Sequence, residues 1–73
     1  MDTDDLHNRF TYHAPFGDQP ERYEFLRNRA YDLALRINAL CPESREKALA
    51  ITHLEETVFW ANAAIARNEK SND

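Results

Sequence analysis

The stretch YEFLRNRAYDLALRINAL, residues 23–40, decides the fold of this 73-residue chain. Its apolar positions recur at intervals of three and four residues, the a/d spacing of a helix that packs against a partner helix. A start signal precedes it, because Asp18 and Glu21 are spaced as a capping box and Pro20 suits a first turn. The sequence therefore predicts a helix over residues 20–40. Its seam is Tyr23, Leu26, Ala30, Leu33, Ile37 and Leu40.

A second helix is predicted after the Cys41-Pro42 step, over residues 43–70. Pro42 disfavours helix at the residue before it and is well placed to open the next helix. The short connection favours antiparallel packing. Residues 1–19 look polar and irregular, and residues 71–73 are expected to fray. The chain is thus predicted to be a single all-α domain over residues 1–73, an antiparallel helical hairpin with a short N-terminal arm or helix over residues 1–19. The second seam is Ile51, Leu54, Val58, Ala61 and Ile65.

Both predicted helices carry more apolar surface than one partner helix can cover. A helix that is apolar on several sides is normally buried by several neighbours. In a chain this short only other chains can supply them, so we expect a homo-oligomer. The alternative is that aromatic residues of the arm cover part of this surface, namely Phe10, Tyr12 and Phe16 over Phe25, Phe59 and Trp60.

Chain length and cysteine usage also favour self-association. A domain of 73 residues is marginally stable as a monomer, and disulfides, metals or oligomerisation usually compensate. Cys41 is the only cysteine, so no internal disulfide forms, and we expect it to act as a small buried hydrophobe. No metal is expected, because the three histidines, His7, His13 and His53, lack zinc-site spacing. One unpaired thiol suits a reducing cytoplasm.

Charge and hydropathy exclude several classes of function. The net charge of −4 lacks the basic footprint that general DNA or RNA binding needs. No apolar run is long enough to span a membrane, and the acidic residues 1–5 do not resemble a signal peptide. The sequence shows no phosphate-binding glycine loop, serine elbow or paired cysteine motif, so we predict neither a cofactor nor an enzyme.

Two groups of residues remain as candidates for chemistry. Residues 7–13, HNRFTYH, mix aromatic and cationic groups that suit a nucleotide, although composition alone favours an arm pinned to the hairpin by Phe10 and Tyr12. The first helix has only arginines as cations, which indicates either planar recognition or a solvated face paired with carboxylates such as Asp32. His53 and Glu56 make an incomplete metal site, and a solvated face is the better interpretation. The arginines are Arg22, Arg27, Arg29 and Arg36.

Three stretches resemble the small phage anti-CBASS sponge family, whose members bind the cyclic nucleotides of a bacterial defence. They are RFTYHAPFGDQPERY at residues 9–23, CPESRE at 41–46 and LEETVFWANAAIARN at 54–68. The resemblance covers nearly all of the chain between residues 7 and 70. It implies a helical hairpin that forms a hexamer in the cytoplasm of an infected bacterium. Ligands such as cyclic GMP–AMP would lie between the arm of one chain and the first helix of another.

The resemblance also implies site residues. Tyr12 matches the base-stacking tyrosine, and Arg27 stands where relatives place a cation, commonly lysine, over the other side of the base. Arg67 would match an arginine that binds cyclic trinucleotides at a separate site in some members. The residues near Tyr12, namely Asn8, Arg9 and His13, are predicted as pocket neighbours from proximity alone.

Three functions are therefore open at this point. The first is sequestration of cyclic oligonucleotides without cleavage. The second is a structural or adaptor module whose apolar helix face binds a host protein. The third, an enzyme that degrades the same signals, is disfavoured because no metal constellation is visible in the sequence.

Overall fold

A computed structural model describes residues 1–70 as three α-helices. Helix α1 spans Thr3–Phe10, α2 spans Gln19–Leu40 and α3 spans Arg45–Asn68. No strand occurs within residues 1–70, so the all-α prediction is confirmed for that range. The predicted fraying of residues 71–73 lies outside the described residues. Within residues 1–70 no helix is both long and apolar enough to cross a membrane.

Helices α2 and α3 form the predicted antiparallel hairpin. Arg22 near the start of α2 contacts Glu69 just beyond α3. At the other end, the Nζ of Lys47 donates to the carbonyl oxygen of Asn38 over 2.9 Å and pairs with the Glu43 carboxylate. Lys47 is buried, but these two acceptors satisfy its charge. The two contacts fix opposite ends of the hairpin.

The helix starts differ from the predicted ones. Pro20 lies in the first turn of α2 as expected, but the Asp18 side chain makes no capping hydrogen bond and pairs with Arg22 at 3.2 Å instead. Helix α3 begins at Arg45 and not at residue 43. The Ser44 side chain accepts a hydrogen bond from the backbone N–H of Lys47 and so caps the helix. Pro42 therefore lies in the linker.

Of the two forms predicted for the N-terminal segment, an arm or a short helix, residues 3–10 adopt the helix. Asp2 caps α1 by accepting from the backbone N–H of Asp4 over 3.0 Å. Arg9 in the last turn pairs with Asp5 over 3.1 Å, and this charge order complements the helix dipole. Helix α1 has eight residues and only two apolar ones, Leu6 and Phe10, so no repeated spacing of apolar residues identifies it in the sequence. The chain then turns at Gly17, whose φ of +56° favours glycine, and enters α2.

The buried face of α2 departs from a strict seam. Most of its seam residues are half-buried, but Leu33 is 47% and Leu40 82% exposed, and Ala34 is half-buried in their place. A straight helix has 3.6 residues per turn, so a pattern of period 3.5 drifts off the contact face. Cys41 at the turn is exposed, which contradicts its prediction as a buried residue. Every seam residue of α3 is half-buried as predicted.

The chain has a large apolar surface. No hydrophobic residue among residues 1–70 is fully buried. The accessible surface is 6090 Å², against about 4,700 Å² expected for a folded monomer of this mass. Phe25, Phe59 and Trp60 are each more than 60% exposed, so the arm does not cover them. Self-association stays a prediction, and this surface is its physical basis.

Candidate functional site

A shallow concavity of about 410 Å³ lies where the segment after α1 meets α2 and the end of α3. Its walls come from three parts of the chain that are distant in sequence. The small side chains of Ala63 and Ala66 in α3 leave space for it. The lining residues are Arg9, Thr11, Tyr12, His13, Tyr23, Arg27, Asn62, Ala63, Ala66 and Arg67.

Five of the six residues predicted as ligand-binding line this concavity, namely Arg9, Tyr12, His13, Arg27 and Arg67. Tyr12 is 83% exposed, so it does not pin the arm to the hairpin. The ring is free to meet a planar ligand. Phe10 is also exposed, at 86%. The structure brings the predicted residues together, and their roles in binding remain predictions.

Asn8, the sixth predicted residue, is not one of the residues that line the concavity. Its side-chain Nδ2 donates to the backbone carbonyl of Arg67 over 3.1 Å. Its own carbonyl oxygen is 2.8 Å from Nε2 of His13, which donates to it in the tautomer protonated there. Asn8 therefore connects α1, the segment around Tyr12 and the last turn of α3.

A second set of hydrogen bonds, here called the clasp, consists of Gln19, Arg22 and Glu69. Gln19 is 2% exposed and donates from Nε2 to Glu69 Oε1 over 3.0 Å, while its Oε1 accepts from the backbone N–H of Phe16. Arg22 donates to both Glu69 carboxylate oxygens, with Nη1 to Oε2 at 2.7 Å. The clasp fixes the segment before α2 against the end of α3.

The clasp changes the acidity of its charged members. Hydrogen bonds from Arg22, and then from Gln19, lower the pKa of Glu69 from 4.5 to about 2. The same carboxylate raises the pKa of Arg22. Both groups are therefore charged at neutral pH, and the carboxylate has to be protonated before the ion pair is lost.

The concavity is locally cationic on an acidic chain. Arg9, Arg27 and Arg67 contribute three guanidinium groups. Arg9 pairs with Asp5, whereas the ion pairs among residues 1–70 involve neither Arg27 nor Arg67. Unpaired guanidinium groups beside an exposed aromatic ring can hold phosphates and stack on bases.

Sequence reasoning missed two polar residues of the concavity. Tyr23 was assigned to the helix seam, and it does contact the hairpin interior with its half-buried ring. Asn62 was not singled out. Its signal was present, because it is the one polar side chain in an otherwise apolar run from residue 58 to residue 66. A lone amide at a half-buried helical position needs an explanation.

The other sequence candidates lie elsewhere. Arg36 pairs with Asp32 over 3.4 Å on an exposed face, and Arg29 lies over the ring of Phe25 at 5.7 Å. The His53 ring is 3.6 Å from Glu56, with both side chains exposed. Within residues 1–70 no group of three or more histidine, cysteine or acidic residues is placed to hold a metal ion.

Comparison with protein families adds the deciding observation. Residues 2–66 match the model of the family described as Acb2/Tad1, hairpin domain. The chain belongs to this family. Its members are the anti-CBASS sponges for cyclic nucleotides, so the resemblance seen in the sequence is confirmed. No curated protein and no solved structure matches the chain.

The Acb2/Tad1 match covers α1, α2 and most of α3. Tyr12, Arg27 and Asn62 all lie within the matched residues, and Arg67 follows directly after them. The predicted roles of Tyr12 and Arg27 therefore rest on a part of the chain that the family covers. The role of Arg67 was predicted from the family resemblance, and it stays a prediction.

Proposed function

We propose that this member of the Acb2/Tad1 family binds cyclic dinucleotides of the cyclic GMP–AMP type and sequesters them without cleavage. The observation that carries the proposal is the position of Tyr12. Its ring is 83% exposed and lines one concavity with the guanidinium groups of Arg27 and Arg67, which take part in no ion pair within residues 1–70. An anionic, aromatic ligand complements such a surface.

The side chains of the concavity make different contacts with the ligand. Tyr12 stacks on a base, and Arg27 covers the other side of that base through a cation–π contact. Arg9 and Arg67 neutralise phosphates. Arginine suits both tasks because its planar guanidinium stacks and also forms paired hydrogen bonds.

A second chain completes the site in this proposal. A cyclic dinucleotide has two bases, and one chain offers one exposed tyrosine in this concavity. Two chains related by a two-fold axis would supply one tyrosine to each base. Binding would then strengthen assembly, because the ligand bridges the subunits.

Self-association is part of the proposal, with a hexamer as the family implies. A neighbouring apolar groove of about 360 Å³ runs between α2 and α3, and Arg27 lies at the boundary of groove and concavity. A second copy placed on this groove would bury apolar surface that the single chain leaves exposed. The groove is lined by Arg27, Ala30, Tyr31, Ala34, Ile51, Leu54, Glu55, Val58 and Phe59.

Cyclic trinucleotides are proposed as a second ligand class, at a separate place. A second concavity, of about 530 Å³, is lined by residues of α1 and α3, among them Phe10, Trp60 and Arg67. The two exposed aromatic rings can stack on bases. The cytoplasm of an infected bacterium, where these signals are made, is the proposed location.

Calorimetric titration with cyclic GMP–AMP tests the proposal. We expect saturable binding and a rise in melting temperature that grows with ligand concentration. Heat release followed by chromatography should return the ligand intact. Absence of both binding and a melting shift at concentrations far above micromolar would refute sequestration, and a degraded ligand would indicate an enzyme.

The alternative of an adaptor module predicts a different result from the same titration. Such a module has no nucleotide affinity and keeps an apolar face exposed in its homo-oligomer. A groove of about 450 Å³ beside Phe25, Leu26 and Ile65 is the place where a host protein would bind in that case. Binding of the nucleotide by the wild type, lost in Tyr12→Ala, would exclude the adaptor as the main function.

A further inference from the structure

The side chain of Asn62 lines the concavity, and its amide oxygen has no hydrogen-bond partner in the described part of the chain. Its Oδ1 is shielded from solvent and has no hydrogen-bond partner within residues 1–70. The residue is half-buried in α3 and lines the concavity beside Ala63 and Ala66. A buried polar atom without a partner destabilises a protein, so its retention calls for a compensating role.

The charged and aromatic residues of the concavity do not distinguish one base from another. Stacking on Tyr12 tolerates every base, because every base has a π-face. Arginines that neutralise phosphates contact a group common to all nucleotides. Base selection therefore needs a group that donates to and accepts from a base edge.

Asn62 is the one carboxamide among the described residues that line the concavity. Two other polar groups there already have partners, since the Thr11 hydroxyl donates to the carbonyl of His7 and the His13 ring contacts the carbonyl of Asn8. No hydrogen bond within residues 1–70 fixes the orientation of the Asn62 amide. Because Oδ1 is shielded from solvent in this orientation, a ligand engages it after the amide rotates about its terminal torsion, and that rotation breaks no hydrogen bond within residues 1–70.

We propose that Asn62 is a specificity-determining residue that hydrogen-bonds a purine base edge of the bound cyclic nucleotide. This inference rests on the proposed function. An amide pairs with adenine through two hydrogen bonds, because its oxygen accepts from the N6 amino group and its NH₂ donates to N7. Adenine is therefore the base that Asn62 favours over guanine.

The test measures the dissociation constants of cyclic di-AMP, cyclic GMP–AMP and cyclic di-GMP for the wild type and for Asn62→Leu. Leucine has a similar size and removes both hydrogen bonds. We expect a loss of at least about 5- to 150-fold for cyclic di-AMP, the range for one adenine, with a much smaller loss for cyclic di-GMP. The melting temperature of the ligand-free variant should be unchanged or higher, because an unsatisfied polar atom is removed.

Two further variants complete the design. Asn62→Asp keeps the shape but only accepts hydrogen bonds, so it should shift the affinity ratio from adenine towards guanine, which offers donors on N1 and N2. If Asn62→Leu does not fold, the adenine-to-guanine affinity ratio of Asn62→Asp decides the outcome. The matched control is Asn28→Leu on the exposed face of α2, which should leave all three ligands as in the wild type.

The outcomes separate this inference from the proposed function. Two results would overturn the assignment of Asn62 and leave sequestration intact. One is that the wild type binds the three ligands equally well. The other is that Asn62→Leu and Asn62→Asp keep the wild-type ratio of the affinities for cyclic di-AMP and cyclic di-GMP. A wild-type protein that binds none of the three ligands overturns the proposed function itself. A lower melting temperature with an unchanged ratio assigns Asn62 a structural role only.

Discussion

The side chain of Asn8 donates a hydrogen bond from Nδ2 to the backbone carbonyl oxygen of Arg67, 3.1 Å away and 59 positions along the chain. This bond holds α1 against the last turn of α3. The carbonyl of Asn8 in turn contacts the ring of His13. One asparagine therefore positions both the segment around Tyr12 and the backbone that bears the Arg67 guanidinium.

Asn8→Ala should weaken ligand binding although Asn8 lies outside the wall of the concavity. The loss of one partly buried hydrogen bond should reduce stability by about 1 kcal/mol and lower helix content as α1 detaches. Circular dichroism and calorimetry would measure the two effects. Asn68→Ala is the control, because Asn68 donates within its own helix, to the carbonyl of Ala64. Equal behaviour of the two variants would contradict the positioning role.

Tyr12→Ala should lower the affinity for cyclic GMP–AMP by at least about 5- to 150-fold, the range for one stacked base, because the variant removes the tyrosine from both bases of the two-chain site. Tyr12→Phe keeps the aromatic face and should retain most of the affinity. Phe10→Ala serves as the control, because Phe10 is equally exposed and does not line the same concavity. A Phe10→Ala loss as large as that of Tyr12→Ala would argue against stacking at Tyr12.

Arg27→Ala should reduce affinity by about 2- to 30-fold, as expected for loss of a cation–π contact. Arg27→Lys keeps the charge and should fall between the wild type and the alanine variant. The matched control is Arg29→Ala, since Arg29 lies over Phe25 and away from the concavity. Titrations at two salt concentrations would show a weaker salt dependence in Arg27→Ala if the guanidinium contacts the anionic ligand.

Phe59→Glu should dissociate the oligomer. Phe59 is 61% exposed and lines the apolar groove between α2 and α3, where a buried carboxylate would be unpaired. Light scattering coupled to size-exclusion chromatography would measure the mass. Leu40→Glu, at an 82% exposed position near the turn, should leave the mass unchanged. A wild-type monomer, or a Phe59→Glu oligomer of wild-type mass, would place the interface elsewhere or exclude it.

Glu69 should make the fold sensitive to acid in a defined interval. Its pKa in the folded chain is lowered to about 2 from the ordinary 4.5. A carboxylate whose pKa is lower in the folded than in the unfolded chain stabilises the fold above the unfolded pKa. This stabilisation is lost as the pH falls, so the contribution of Glu69 disappears between about pH 4.5 and pH 2.

The melting temperature of the wild type should therefore fall more steeply over that interval than that of Glu69→Gln. Glutamine keeps the shape and removes the titration. Glu24→Gln is the matched control, because Glu24 is an exposed residue of α2 outside the ion pairs among residues 1–70. Identical slopes for the wild type and Glu69→Gln would show that the clasp does not contribute in solution.

Local sequence signals predicted each end of the two long helices to within two residues. The spacing of apolar residues in α3 placed Ile51, Val58 and Ile65 on the buried face, as observed. The same spacing failed for Leu33 and Leu40 in α2, because a straight helix rotates away from a heptad seam. For the N-terminal segment the sequence left an arm and a short helix open, since Leu6 and Phe10 are too few to define a period.

The candidate site was predicted in part, and only through the family resemblance. That resemblance selected Tyr12 and Arg27, and proximity in sequence added Arg9 and His13, all of which line the concavity. Asn62 was not predicted because its sequence signal, one polar residue in an apolar run, does not say which residues surround it in the folded chain. Its importance depends on which neighbours fail to supply a hydrogen bond, and that is a property of packing.

The sequence by itself determined that this chain forms two long helices with surplus apolar surface, because helix formation and amphipathicity depend on neighbours three and four residues away. Only the tertiary structure decided that Tyr12, Arg27 and Asn62 share one concavity. Contacts such as those of Asn8 with Arg67 and of Gln19 with Glu69 join residues 50 or more positions apart. Their hydrogen-bond geometry arises when the antiparallel helices pack, so no local pattern encodes it.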